Sequence, residues 1–410
     1  MGWVEHVMFW HVYPLGFTGA PVRGEHDAAP RLRHLEGWLD HVVDLGLNGL
    51  LLGPVFASQS HGYDSVDLHR IDPRLGTLDD FDALVAASHE RGVRVVLDGV
   101  FNHVGAGHPW ARRALAEGPD GPYARWFRID WSDPAAPRFD DFEGHSSLVA
   151  LNHDEPAVAD AVADVMTTWL DRGVDGWRLD AAYAVPPRFW AGVLPRVRAA
   201  HPDAWFVGEV IHGDYAGIVA ESGIDSVTQY ELWKATWSSL LDGNFYELDW
   251  ALQRHAEFLA TFLPATFVGN HDVTRIASRV GQERAVLALV VLLTVGGVPS
   301  VYYGDERGLT GVKEDRLGGD DAVRPAMPAT PADLPPDGAW VQDVHRELVA
   351  LRRRHPWLVR ATTEAVELTN TRYVYAARAG DDVLHVELDV TGSPRATVRD
   401  ASGVLFTFGP

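Results

Sequence analysis

The strongest constraint on the fold of this chain is a rhythm. Eight times along its 410 residues, a short apolar, β-branched run gives way to a stretch of helical periodicity. Strands are expected at residues 9–13, 49–53, 93–98, 174–180, 205–209, 225–229, 265–270 and 298–303. Helical patterns fill the intervals at 34–45, 78–91, 156–172, 187–200, 214–222, 232–263 (read as two helices), 282–295 and 339–355. Eight parallel strands, each followed by a helix, predict an α/β fold of the closed (β/α)8 TIM-barrel type. The rival is an open doubly wound sheet. That fold announces itself with a Gly-rich nucleotide loop after its first strand, and none follows residue 13.

Two segments fall outside the barrel count. Residues 104–154 are rich in Pro, Gly, Asp and aromatics without a long periodic run, and read as an inserted subdomain after strand three. Residues 358–410 alternate apolar and polar side chains and read as a small C-terminal antiparallel β domain. Residues 1–103 and 155–357 are left for the barrel, with 310–337 as a long surface loop. The formal charge of −22 repels phosphate backbones and anionic lipid, so nucleic acid and membrane surfaces are excluded as partners in favour of a neutral small molecule. The absence of cysteine excludes disulfides, thiol catalysis and thiolate metal sites. The N-terminal text carries Glu5 where a signal peptide needs basic residues. The longest apolar run, 285–295, falls short of the roughly 18 to 20 residues that span a bilayer, so a cytoplasmic location is expected. The 15 tryptophans suit either sugar stacking or a core built from large fillers.

Catalytic groups of a barrel sit at the C-terminal ends of its strands. Here those ends read DGVFNH (98–103), DGWRLDA (175–181), VGEV (207–210) and VGNHD (268–272). They aim Asp98, Asp180, Glu209 and Asp272 at one mouth, with His103, Arg178 and His271 between them. One acidic residue at a strand end is commonly just a helix cap. Several carboxylates from different strands are costly to gather, because like charges repel and each loses its water. Either a divalent metal or a chemistry that uses ionised and protonated carboxyls together must offset that cost. No HExxH or HxH spacing favours the metal. Glycoside hydrolysis needs one nucleophilic carboxylate and one protonated carboxyl, about 5 to 5.5 Å apart for retention of configuration.

At this point the chain resembles the α-amylase superfamily, glycoside hydrolase family thirteen. The four strand ends look like its signature regions. Further matches are GLNGLLLGPVF (46–56), HGYDSVDLHRIDPRLGT (61–77) and GGVPSVYYGDE (296–306), so the resemblance covers residues 9–325 in the family's order. The resemblance implies that Asp180 is the nucleophile, Glu209 the general acid/base and Asp272 the third carboxylate that holds sugar hydroxyls. Arg178, two residues before Asp180 and on the same strand face, is expected to keep Asp180 ionised while Glu209 stays protonated. His103 and His271 match sugar-binding histidines, Tyr63 the aromatic that stacks on the sugar at the cleavage site, and Asp64 its buried partner. Asp98 and Arg275 look like supporting groups. No cofactor is required by the resemblance. Asn102 matches the asparagine that binds calcium in typical α-amylases, with Asp140, Asp141 and Asp154 as candidate co-ligands; a structural role for Asn102 is the alternative.

Within the family, GPYARWF (121–127), FEGHSSLVALNHDEPAV (142–158) and GEVIH, with His212 after Glu209, resemble the neopullulanase and cyclomaltodextrinase group. Three features depart from it. Ala150 stands before Leu-Asn where a polar residue is usual, Asn270 stands where many members carry serine, and a barrel starting near residue 9 leaves the group's N-terminal β domain without a counterpart. Tyr230, Trp233, Trp237 and Trp250 are candidates for the leaving-group side or for core. The expectation is a retaining hydrolase of α-1,4 and α-1,6 bonds in short glucans. The alternatives are a transglycosylase or glucosyl isomerase using the same residues, and a non-catalytic interaction protein, against which the intact carboxylates argue.

Overall fold

The computed structural model describes residues 2–24 and 27–410. Eight parallel strands form the centre: β1 Phe9–Val12, β2 Gly49–Leu52, β3 Arg94–Gly99, β4 Gly176–Leu179, β5 Trp205–Gly208, β6 Ser226–Val227, β7 Ala265–Phe267 and β8 Val298–Tyr302. Each pairs with its sequence neighbour, and β8 pairs with β1. The ring is completed between β6 and β7 by one parallel bridge, Thr228 to Ala265. The structure is therefore the expected α/β barrel. Its strands are buried on both faces, as a parallel sheet wrapped by helices must be.

The helices hold close to the expected ranges, with one instructive break. Residues 34–45 form two helices, Leu32–Glu36 and Leu39–Asp44. The chain turns at Gly37, where Trp38 N–H reaches back only three residues to Leu35 O (3.0 Å). That turn delivers Trp38 to the interior, where its ring stacks on Trp10 at 6.1 Å. The long pattern 232–263 is two helices, Tyr230–Asp242 and Tyr246–Leu259, separated where Gly243 takes φ 62°. Several tryptophans are core fillers: Trp10, Trp38, Trp169, Trp177 and Trp190 are fully buried.

The segment after β3 returns as a small antiparallel sheet in which His145–Ala150 pairs with His103–Gly105 and with Asp141–Phe142. It also contains a helix, Pro109–Glu117, capped by His108. The chain ends in five antiparallel strands, β9 Thr362–Leu368, β10 Arg372–Ala379, β11 Asp382–Asp389, β12 Arg395–Asp400 and β13 Gly403–Phe408. The expected surface loop over 310–337 is anchored at a few points. Val323 and Met327 are buried there, and the Val323 carbonyl accepts from Arg275 (3.0 Å) and from the Tyr302 hydroxyl (2.9 Å). The loop keeps a largely exposed outer face and is pinned over the barrel mouth at these points. Among the described residues, no helix is long and apolar enough to cross a membrane.

Candidate active site

The C-terminal ends of the strands open into a cleft of about 1480 Å³, walled by the inserted segment on one side and by residues 313–326 on another. Register builds its floor. Arg178 in β4 lies directly opposite Asp98 in β3, so their side chains leave the sheet together. Arg178 Nη1 donates to both oxygens of Asp98, each at 2.6 Å, and to Asp180 Oδ1 at 3.1 Å. Its Nη2 pairs with Glu209 Oε1 at 2.7 Å. One guanidinium thus grips three carboxylates, all nearly excluded from water.

The residue after Asp180 completes this grip. Ala181 takes the left-handed conformation, φ 45° and ψ 38°, uncommon for a residue with a Cβ. Its N–H thereby donates to Glu209 Oε2 at 3.0 Å. Glu209 Oε1 also accepts from the Tyr230 hydroxyl (3.3 Å), which in turn accepts from Asn270 Nδ2 (2.9 Å). Asn270 Oδ1 accepts the N–H of Asp272 (2.9 Å), tying the β7 end to Glu209. The glycine of VGNHD is needed for close approach, since a Cβ at Gly269 would lie 2.3 Å from Asp305 Oδ2.

Asp272 has different neighbours. Arg324 Nη2 donates to its Oδ1 at 2.7 Å and pairs with Asp320 Oδ2 at 3.1 Å, while His271 Nε2 meets Oδ2 at 2.9 Å. The Arg324 guanidinium lies over the Tyr13 ring at 4.6 Å, and its Nε donates to His271 O. His271 is sandwiched between Tyr13 (5.9 Å) and Tyr63 (5.4 Å), both rings nearly parallel to it. The Tyr63 hydroxyl donates to Asp98 Oδ2 (3.0 Å) and contacts His271 Nε2.

These surroundings push the carboxyls in opposite directions. Burial, reinforced by the charges of Glu209, Asp98 and Asp272, drives Asp180 well above the usual carboxylate range despite Arg178. Burial likewise raises Asp98. Asp272, although burial opposes it, is held well below that range by His271 and Arg324. Against the expectation that Arg178 keeps Asp180 ionised while Glu209 stays protonated, Arg178 is shared with Glu209 and Asp98, and Asp180 rises in the free site. Burial holds His103 near 4, a neutral imidazole whose Nε2 meets Tyr63 O at 3.1 Å.

Of the residues expected at the site, Tyr63, His103, Asp180, Glu209 and Asp272 line the cleft. Asp98, Arg178 and His271 lie beneath that lining, with side chains at most 5% exposed. They reach carboxylates and the tyrosine rather than open space. Arg275 is fully buried against Asp305 (2.8 Å) and the carbonyls of Tyr303 and Val323, which fastens the 310–337 segment down. His212 is exposed, its ring 6.2 Å from Tyr183, and forms no part of the lining. Tyr230 and Trp233 do line the cleft; Trp237 packs behind Trp233, and Trp250 is out on the surface. Asp64 is buried and accepts from the Ser60 hydroxyl at 2.6 Å.

Arg324, Tyr13 and Tyr183 were not singled out by sequence reasoning. The signal for Arg324 was an arginine followed by proline in an acidic, Gly-rich loop. Three of the four candidate calcium ligands have protein partners. Asn102 donates to His103 Nδ1 (3.1 Å), Asp154 is paired with Arg188 (2.7 Å) and Arg128 (3.5 Å), and Asp141 accepts from Gly144 N–H. Among the described residues, no cluster of three or more His, Asp or Glu is arranged to hold a metal.

A TIM barrel that gathers Asp180, Glu209 and Asp272 at the ends of β4, β5 and β7 has the layout of a carbohydrate-active barrel. Residues 12–334 match the family described as Alpha amylase, catalytic domain, and the chain belongs to the α-amylase family. It is 30% identical over 389 residues to a maltogenic α-amylase of Bacillus acidopullulyticus, covering 87% of this chain and 64% of that protein. A cyclomaltodextrinase of Geobacillus thermopakistaniensis is 29% identical over 418 residues, 94% of this chain and 68% of the relative. The chain thus spans about two thirds of the length of these curated relatives. The structure of a cyclic α-maltosyl-(1→6)-maltose hydrolase from Arthrobacter globiformis, in complex with cyclic α-maltosyl-(1→6)-maltose, superposes with a TM-score of 0.85 at 27% identity. It covers 100% of this chain and 97% of that one.

Proposed function

We propose that the protein is a retaining α-glycoside hydrolase acting on α-1,4 and α-1,6 bonds of short malto-oligosaccharides or related α-glucans. The observation that carries this reading is the convergence of Asp180, Glu209 and Asp272 on one cleft, with Arg178 holding the first two. One guanidinium does not neutralise Asp98, Asp180 and Glu209 together, so the free site retains a proton. Glu209 delivers that proton to the glycosidic oxygen as an oxygen of Asp180 attacks the anomeric carbon. With the single proton on Glu209, Asp180 is the ionised partner and attacks as a carboxylate. In the second step Glu209 takes a proton from water, which attacks the same carbon and releases Asp180; two inversions give net retention. Asp272, kept ionised by Arg324 and His271, accepts sugar hydroxyls. Tyr63 and His103 wall the same sugar. The relatives named above support the substrate class.

The test is product analysis by NMR with maltose, maltotriose, isomaltose, panose, trehalose, sucrose, pullulan and β-cyclodextrin. The α-anomer is expected first; initial β-anomer would sink the retaining mechanism. Asp180→Asn is expected to lose activity by about 10⁴-fold or more. An Asp180→Asn variant as active as the parent would remove the nucleophile assignment.

A further inference from the structure

The hairpin of Asp141–Phe142 and His145–Ala150 turns through Glu143 and Gly144, with Phe142 paired to His145. Both central residues have positive φ, 53° and 83°, the backbone of a type I′ turn. That turn favours Asn-Gly or Gly-Gly, because a bulky side chain strains the left-handed conformation. Among the described residues, only Glu143 and Ala181 combine a side chain with positive φ, and both line the cleft. Such strain at a functional cleft persists where the side chain has a task.

The task is visible in what Glu143 touches. Its Oε1 accepts a hydrogen bond from the Tyr183 hydroxyl at 2.7 Å. Tyr183 stands two residues beyond Ala181, and its N–H donates to the Glu209 carbonyl at 3.3 Å. The bond joins the inserted segment to the loop after β4, across two walls of the cleft, beside Glu209 rather than beside Asp272 and Arg324. The hairpin tip is seated as well, since Phe142 stacks on His103 at 4.7 Å and lies 6.5 Å from Tyr183. We propose that Glu143 is a specificity-determining residue: clasped to Tyr183, it bars the cleft on the Glu209 side, admitting short glucosides and obstructing long linear glucans. The inference rests on the hydrolase reading above. A long chain must first break the Tyr183–Glu143 hydrogen bond, whereas a short one ends before reaching it.

The experiment compares kcat/KM on maltotriose with kcat/KM on long-chain amylose. Glu143→Asn suits the turn but is one methylene too short to reach Tyr183, and Tyr183→Phe removes the donor. Each is expected to shift the ratio toward amylose by about fivefold, the equivalent of one ordinary hydrogen bond. Glu143→Gln, whose amide oxygen still accepts from Tyr183, keeps the parent ratio. An unchanged ratio in Glu143→Asn and Tyr183→Phe overturns the clasp while leaving the hydrolase reading intact. A parent protein that cleaves neither substrate removes the hydrolase reading and the clasp with it.

Discussion

His255 sits in the core, 2% exposed, with both ring nitrogens committed. Nε2 donates to Gly296 O at 2.9 Å, and Nδ1 accepts from Gln229 Nε2 at 3.3 Å. Protonating Nδ1 would set two donors face to face. Turning the Gln229 amide around would forfeit its Oε1, which caps the helix Tyr230–Asp242 by accepting from Leu232 N–H. Burial accordingly drives this imidazole down to about 4 from its ordinary 6.5. Between those values the unfolded chain binds a proton that the folded protein refuses. The stabilisation is complete above pH 6.5, is lost as the pH falls, and is gone below about 4. For one such histidine the loss from about pH 7 to about pH 5 is roughly 1.8 kcal/mol. His103 and His108 are also buried and held near 4, so the three together remove about 5 kcal/mol over that interval. The assay is urea unfolding followed by tryptophan fluorescence at the two pH values, for the parent and for His255→Gln. The variant is expected to lose about 1.8 kcal/mol less between them than the parent does, whatever the substitution costs at neutral pH. An identical pH dependence in parent and variant would refute the reasoning.

Three further outcomes follow from groups described above or buried beside them. Arg178→Lys replaces a fork with a point charge among three carboxylates, and is expected to lower stability by about 3 kcal/mol and kcat/KM by at least about 100-fold, read by thermal unfolding and maltotriose hydrolysis. Arg352 is buried without a carboxylate and donates to the carbonyls of Leu293, Val295 and Gly297 at 2.7 to 3.2 Å. Arg352→Met leaves those acceptors unpaired in the core, and the thermal midpoint should drop by the equivalent of about 3 kcal/mol. Ala181→Gly relieves a left-handed residue and is expected to raise stability by about 0.5 kcal/mol in the same measurement, the strain relief exceeding the glycine's extra entropy.

The strand starts were legible because eight short β-branched runs stood between helical patterns, and every one became a barrel strand. The carboxylates at the mouth were legible because strand ends in this fold point one way. What resisted reading depended on contacts between distant segments. Gly37 broke a helix to bury Trp38, a demand set by Trp10 rather than by local periodicity. Arg324 lay in a stretch whose Gly, Pro and Asp content suggested solvent, yet its partner Asp272 is 52 residues away in sequence. Arg178 was assigned to one carboxylate by its spacing along β4, whereas pairing between strands gave it three. Glu143 offered only an Asn-Gly-like turn with the wrong first residue.

The barrel's ring is not equally strong all the way round. β6 contributes two residues, and between it and β7 the ladder is the single Thr228–Ala265 bridge, reinforced by the Gln229 N–H donated to Ala265 O at 2.9 Å. The other neighbours share longer ladders, four residue pairs between β4 and β5. Amide protons along this seam therefore exchange with solvent through the least costly opening of the barrel, ahead of those in β2 to β4. The helix that begins just past the seam carries Tyr230 and Trp233 into the cleft. A partial opening there moves one wall of the site and loosens the Tyr230 bond to Glu209, while Arg178 still grips its three carboxylates, giving the cleft a rigid half and a breathing half.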